Sequence, residues 1–337
     1  MKFGPVPLDH AAGKILGHNI AGPNGQRLLR KGRPLTTEDV RQLHEAGQSQ
    51  VYVAELETDD VGEDTAAREI AALVKGPGLA VNFAGGGRVN LVASHLGIAR
   101  IDQARLGALN DLDGITVATV AHNSAVKARH MAATVKIIPF AVPRYVIESA
   151  RNVCNQAILR LDALPHKRVT LILSGLPSAR ARVMADFDAA IRSRIEALGS
   201  TLEHVDYVPL ESAEAEAELA KNLCQRAQAG AQLIVLAGET AIMDKQDIVP
   251  RAIQRAGGQV EVFGAPVDPG NLLMLATLGD VPILGAPGCA RSQKVNVVDW
   301  VLPRLLAGDR LCRDDITRLG AGGLLEDIAE RPVPRGS

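Results

Sequence analysis

Residues 265–294 read APVDPGNLLMLATLGDVPILGAPGCARSQK, and the punctuation of this stretch decides how the chain is built. Two Pro-Gly turns, Pro269-Gly270 and Pro287-Gly288, lie either side of an apolar strand at 281–284. The second turn carries Arg291, Ser292 and Lys294 and runs into VNVVDWVLPRLL at 295–306, a helical pattern. Glycine lets a backbone approach a ligand closely, so that its N–H groups converge on an anion. A strand, a glycine turn with a cation and a hydroxyl, and a helix N-terminus are the parts of a phosphate or carboxylate site. The same parts make a sound strand-to-helix turn with nothing bound. The loop alone leaves both readings open.

Working outward, the same alternation extends through the second half of the chain. Strands are expected at 168–174, 202–208, 233–237 and 260–263, with helices at 146–161, 181–198, 213–229 and 247–256. Alternating apolar strands and helices imply an α/β fold, a three-layer αβα arrangement around a mostly parallel sheet. Ligands of such sheets sit beyond the carboxyl ends of the strands. The loops at 174–180, 237–247, 266–271 and 286–294 should therefore meet at any site.

Two smaller modules precede this one. Residues 1–75 read as α+β, with a helix opening at Thr36 and stopping at Gly47, a short strand at 50–54 and a helix at 65–75. Residues 76–143 read as β-rich, with apolar runs at 114–121 and 131–140. Gly85-Gly86-Gly87-Arg88 fails the dinucleotide fingerprint and reads as a turn with a solvated Arg88. The expected domains are thus 1–75, 76–143, an α/β domain over 144–310 and a C-terminal tail over 311–337.

Composition excludes several function classes. Lys and Arg number 37 against 38 Asp and Glu, a net charge of −1 that argues against general nucleic-acid or membrane-surface binding. Aromatic residues make up 3%, too few for a base-stacking platform. The N-terminus lacks a signal-peptide pattern, and no run is long and apolar enough to span a bilayer. Cys154, Cys224, Cys289 and Cys312 are spaced like no zinc site and read as reduced thiols of a cytoplasmic protein. Cys289 alone lies in a candidate loop, and no base can be assigned to it.

Several motifs resemble the molybdopterin-binding domain family of molybdenum-cofactor biosynthesis proteins. GPVPLDHAAG at 4–13 and LRKGRPLTTEDV at 29–40 resemble the opening of molybdopterin molybdenumtransferases. DIVPRAI at 247–253 resembles the aspartate-led helix after that family's Gly-Gly loop, and the two Pro-Gly turns resemble its own. PVDPGNLL, GAPGCARS with Lys294, and KIIPF at 136–140 are similar to a subgroup sometimes fused to a cytidylyltransferase-like domain. No such domain follows residue 306 in this sequence.

The chain also departs from that pattern. The family's Ser-Gly-Asp-Glu loop stands here as Ser174-Gly175-Leu176-Pro177, and its Gly-Gly-Thr/Ser-Gly loop as Ala237-Gly238-Glu239-Thr240-Ala241. Its Met-Asp-Gly-Tyr element is not evident. Loss of acids from the first loop weakens a metal-insertion role, which needs carboxylates to handle water, metal oxyanion or a leaving phosphate.

The resemblance implies a molybdopterin site at Ser174, Gly175, Gly238, Glu239, Thr240, Pro269, Gly270, Asn271, Pro287, Gly288, Arg291, Ser292 and Lys294. Backbone N–H groups at the glycines would surround ring and phosphate, and Arg291 or Lys294 would neutralise the phosphate. Asp247 would accept from pterin N–H groups or cap its own helix, with the cap favoured. Arg180 and Arg182 read as a solvated face rather than an anion clamp.

Three functions follow as expectations. The first is a molybdopterin-binding protein in cofactor biosynthesis or delivery. The second is an active adenylyl- or molybdenumtransferase using Asp244 or Asp247 with magnesium. The third is a non-catalytic scaffold that docks a cytidylyltransferase or a molybdoenzyme. A homodimer is the expected assembly. A Walker-type nucleotide enzyme is disfavoured, because no such motif is present.

Overall fold

Runs rich in Val, Leu and Ile form the strands of the second half of the chain: β1 (Arg168–Gly175), β2 (Thr201–Pro209), β3 (Leu233–Gly238), β4 (Gln259–Phe263), β5 (Met274–Leu278) and β6 (Val281–Gly285). The computed structural model describes residues 1–22, 25–211, 214–239 and 242–325. Helices α1 (Arg180–Ala197), α2 (Ala215–Gln228), α3 (Ile248–Arg255) and α4 (Val297–Ala307) alternate with the strands. The sheet runs β2-β1-β3-β6-β5-β4 in space. Its first four strands are parallel, and β5 is antiparallel to both of its neighbours.

The pleat sends successive side chains to opposite faces. Val169, Leu171 and Leu173 therefore join a core with Phe187 and Ile191 of α1 and with Val301 and Leu302 of α4. Ile172, Ile234 and Leu236 join a second core with Leu219 and Leu223 of α2 and Ile253 of α3. Two cores on opposite faces make this an α/β unit with a three-layer αβα arrangement and a mostly parallel sheet.

The chain divides into two compact units, one of Met1–His122 and Val126–Asp162, the other of Asn123–Ala125 with Ala163 onward. Three expectations need revision. The helix expected over 146–161 ends at Val153, and Leu159–Ala163 forms a strand, so this segment packs in the first unit. Apolar residues at 159 and 161 alternate with polar ones, a period-2 signal that overrides the helical continuation. Strand β5 was absent from the expected elements; Gly279-Asp280 turns it into a hairpin with β6. Residues 311–325, assigned to the tail, pack on the second unit, with Leu311 and Ile316 buried in its core. The helix expected from residue 213 begins at Ala215; residue 213 itself lies outside the described residues.

The first unit has two cores. Gln50–Glu55 pairs with Lys2–Pro7 and Ile15–Leu16 beneath the helix Thr37–Glu45. Thr36 caps that helix, accepting from Asp39 N–H while the Asp39 carboxylate accepts from Thr36 N–H. The other core lies between an antiparallel sheet, ordered Ile115–Thr119, Met131–Ile137, Arg88–Ala93, Leu79–Phe83, and the helix Glu63–Val74. Gly85-Gly86-Gly87 form the expected turn, and Lys136 donates to the Gly86 carbonyl at 2.9 Å. Among the described residues no helix is long and apolar enough to cross a membrane.

Candidate functional site

The order β2-β1-β3 places a topological switch between β1 and β3: the chain leaves β1 for β2 on one side and returns to β3 on the other. Open α/β sheets bind ligands in the crevice outside such strand ends. Ser174-Gly175 and Gly238-Glu239 face each other there. Glu239 N–H donates to the Ser174 carbonyl at 2.8 Å. A Cβ on Gly238 would stand 2.8 Å from both that carbonyl oxygen and the Ser174 hydroxyl, so only glycine lets the two strand ends come this close.

The two loops are also tied by side chains. The Glu239 carboxylate accepts from Leu176 N–H at 3.0 Å and from Arg182 at 2.7 Å. Arg182 is exposed, as expected of a solvated face, and it also bridges to the β3 loop. Arg180 lies 5.7 Å from the centre of the Tyr207 ring. Tyr207 donates to the Leu176 carbonyl at 2.7 Å. Burial, together with the nearby Glu239 charge, pushes the Tyr207 hydroxyl above its ordinary value, so it stays a donor at neutral pH.

Beside the ends of β1 and β3 lies a cavity of about 10 Å³, lined by Ser174, Gly238, Ile242, Val249 and Ala286 among others. That volume holds about one water. Ser174 is 6% exposed and lines this cavity; among the described residues the buried side-chain polar atom without a partner is Asn222 Oδ1.

The Pro-Gly loops are held differently. Arg194 of α1 is buried, and its guanidinium donates to Asp299 at 2.9 Å. It also donates to the carbonyls of Ala290, Ser292 and Lys294 at 3.0, 2.7 and 3.0 Å. Asn296 donates to the Cys289 and Lys294 carbonyls and caps α4 by accepting from Val298 N–H. The Ser292 hydroxyl accepts from Lys294 N–H at 3.1 Å. The Pro287–Lys294 loop is thus fastened from inside by its carbonyls. Arg291, Lys294 and Asn271 are exposed, and the Pro287 carbonyl closes the turn by accepting from Ala290 N–H.

Gly270 serves packing as well. Its φ is +141°, and a Cβ there would stand 2.4 Å from Cγ1 of Val297 at the start of α4. Val297 N–H donates to the Pro269 carbonyl at 3.2 Å. A Cβ on Gly288 meets nothing within 4 Å, so no neighbour requires glycine there.

Asp247 stands at the N-cap position of α3 but does not cap it. Its carboxylate turns back to accept from Met243 N–H at 2.6 Å and Asp244 N–H at 3.0 Å. Asp244 accepts from Gln246 N–H at 2.7 Å. Both acids shape the loop before α3. Burial pushes the Cys289 thiol up, which keeps it protonated and disfavours a nucleophilic role. Thr240 lies outside the described residues.

The sequence reading missed Arg194, whose signal was available. It falls on the apolar stripe of α1, seven residues after Phe187 and beside Ile191 and Ile195, where a charge must find buried partners.

A family described as a domain of unknown function (DUF8806) matches residues 5–55. No curated protein matches the chain. Among solved structures, a molybdenum cofactor biosynthesis protein from Pyrococcus furiosus is 11% identical, with a TM-score of 0.25, covering 94% of this chain. The chain spans 65% of that protein's length. A molybdopterin biosynthesis MoeA protein from Pyrococcus horikoshii is 10% identical, with a TM-score of 0.31, over 91% of this chain and 75% of its own. The molybdopterin biosynthesis Mog protein from Mycobacterium ulcerans is 15% identical, with a TM-score of 0.26, over 41% of this chain and 92% of its own. None of these superpositions is close enough to transfer a residue role.

Proposed function

We propose that this chain binds molybdopterin and serves molybdenum-cofactor biosynthesis or delivery. The observation that carries the reading is the crevice between β1 and β3, where Ser174 lies beside Gly238 at the switch point and the Glu239 carboxylate is held by Leu176 N–H and Arg182. The motif resemblance supplies the ligand class. In this reading Ser174 and the backbone at Gly175 and Gly238 hold the polar edge of the pterin, and Arg182 faces its phosphate. Arg291, Ser292 and Lys294 line the neighbouring loop, with Pro269, Gly270, Asn271, Pro287 and Gly288 completing the frame.

Binding is favoured over catalysis by the hydrogen bonds of the two candidate acids. Asp247 is engaged by two backbone N–H groups and Asp244 by a third. In the catalytic alternative these two acids would hold magnesium. Titrating the purified chain with molybdopterin, followed by pterin fluorescence, tests the proposal. Saturable binding with no AMP release from ATP supports a carrier. AMP release that depends on the pterin supports the transferase. No binding at all leaves the scaffold role, to be sought by pull-down of a cytidylyltransferase or molybdoenzyme.

A further inference from the structure

We infer that Glu239 is an internal anion occupying the anion-binding corner of the crevice, which a ligand phosphate enters by displacing it. The inference rests on the ligand-binding reading above and adds how that site is gated. Leu176 N–H and Arg182 each take one oxygen of the same carboxylate, at 3.0 and 2.7 Å. A backbone N–H and a guanidinium gripping two oxygens of one group is the arrangement that also holds a phosphate.

Three further features suit an exchange of anions. Ser174, 6% exposed, lines a small cavity at the same strand end, two residues before Leu176. Its hydroxyl is a third donor at this strand end. Arg180, stacked near the Tyr207 ring, adds a second cation from the start of α1. A phosphate dianion gains more from two arginines than a single carboxylate does. The Arg182 side chain is 56% exposed and that of Glu239 21%, so their pairing is of the surface kind that contributes little and opens readily.

The backbone need not move for the exchange. Glu239 N–H stays on the Ser174 carbonyl, and Tyr207 holds the Leu176 carbonyl, which keeps Leu176 N–H aimed at the corner. Only the Glu239 side chain swings towards solvent. Such a gate selects for ligands bearing a phosphate or comparable oxyanion, because a neutral ligand has nothing to put in place of the carboxylate.

The test is calorimetric titration with inorganic phosphate at constant ionic strength, on wild type, Glu239→Gln, Glu239→Ala and Glu239→Gln with Arg182→Ala. Removing the internal charge should tighten phosphate binding about threefold in both single variants, as expected when a closed state holds about two-thirds of the population. The double variant should lose that gain. Equal phosphate affinity in wild type and both single variants overturns the inference, as does a gain that survives loss of Arg182. Molybdopterin titrated in parallel separates the two ideas. Phosphate gain without pterin binding keeps the gate and removes the pterin reading. Pterin binding without phosphate gain does the reverse.

Discussion

Two loop systems lie at the carboxyl edge of one sheet, and they are held in opposite ways. The Pro287–Lys294 loop looks most like a ligand loop in the sequence, yet its carbonyls are bound from inside by Arg194 and Asn296. The crevice between β1 and β3 departs most from the family pattern, yet it is closed by an ion pair half open to solvent. The difference teaches that glycine and cations in a loop do not distinguish a scaffold from a site. What distinguishes them is whether the polar groups are held from the buried side or by a pair that solvent reaches.

The sharpest way to break this contrast is to remove Arg194. Arg194→Ala would leave the Ala290, Ser292 and Lys294 carbonyls and Asp299 without their buried donor, a loss of about 3–5 kcal/mol on the scale of a broken buried pair. Urea unfolding should show it, and Arg194→Lys, with fewer donors, should recover only part. Wild-type stability in Arg194→Ala would mean the loop is not fastened from inside.

Gly270→Ala comes next. The new Cβ would overlap Val297 and sit at φ +141°, so a loss of about 2–3 kcal/mol is expected. Adding Val297→Ala should restore part of it, because Cγ1 at 2.4 Å goes while Cβ at 2.5 Å remains. No recovery would point to backbone strain alone.

A third, pH-dependent effect concerns the other end of α4, where Arg304 donates to Asp315 at 2.8 Å. Burial pushes the Asp315 carboxyl up, but Cys312 N–H, Arg304 and the Cys312 thiol outweigh it and hold it down at about 2. Because the folded value lies below the ordinary 3.8, this stabilisation is present above about pH 4 and lost as pH falls towards 2. Asp315→Asn should therefore destabilise by about 1–2 kcal/mol at pH 7, with the gap to wild type closing at the acid end. A gap independent of pH would assign the effect to packing.

Glu239→Gln should be the mildest, within about 0.5 kcal/mol of wild type, since a partly exposed pair contributes little. A loss of several times that would make Glu239 part of the scaffold and erase the contrast between the two loops.

Much of the α/β unit was legible because its strands announce themselves. RVTLILSG and LIVLAG are apolar runs bounded by glycine, and their observed ends fall within a residue or two of those expected. Strand β5 was not legible because LLMLATL adjoins a Pro-Gly turn and reads as part of its loop; the Gly-Asp pair that makes the hairpin was the overlooked sign. At the site, the glycines could be read as points of close approach, but not what approaches. Gly270 meets Val297, whereas Gly238 meets Ser174. Asp247 stands where a cap belongs and bonds backwards instead, a choice of side-chain rotamer that spacing does not encode.

The most direct test of the account is a molybdopterin titration, read by pterin fluorescence, on wild type, Ser174→Ala and Arg291→Ala. Loss of a neutral hydrogen bond is worth about 1 kcal/mol, so Ser174→Ala should weaken binding about fivefold. Arg291→Ala, on the loop fastened from inside, should change it by less than about threefold, the effect of a solvated charge at a rim. Binding abolished in Arg291→Ala and untouched in Ser174→Ala would contradict the account and move the site to the Pro-Gly loop.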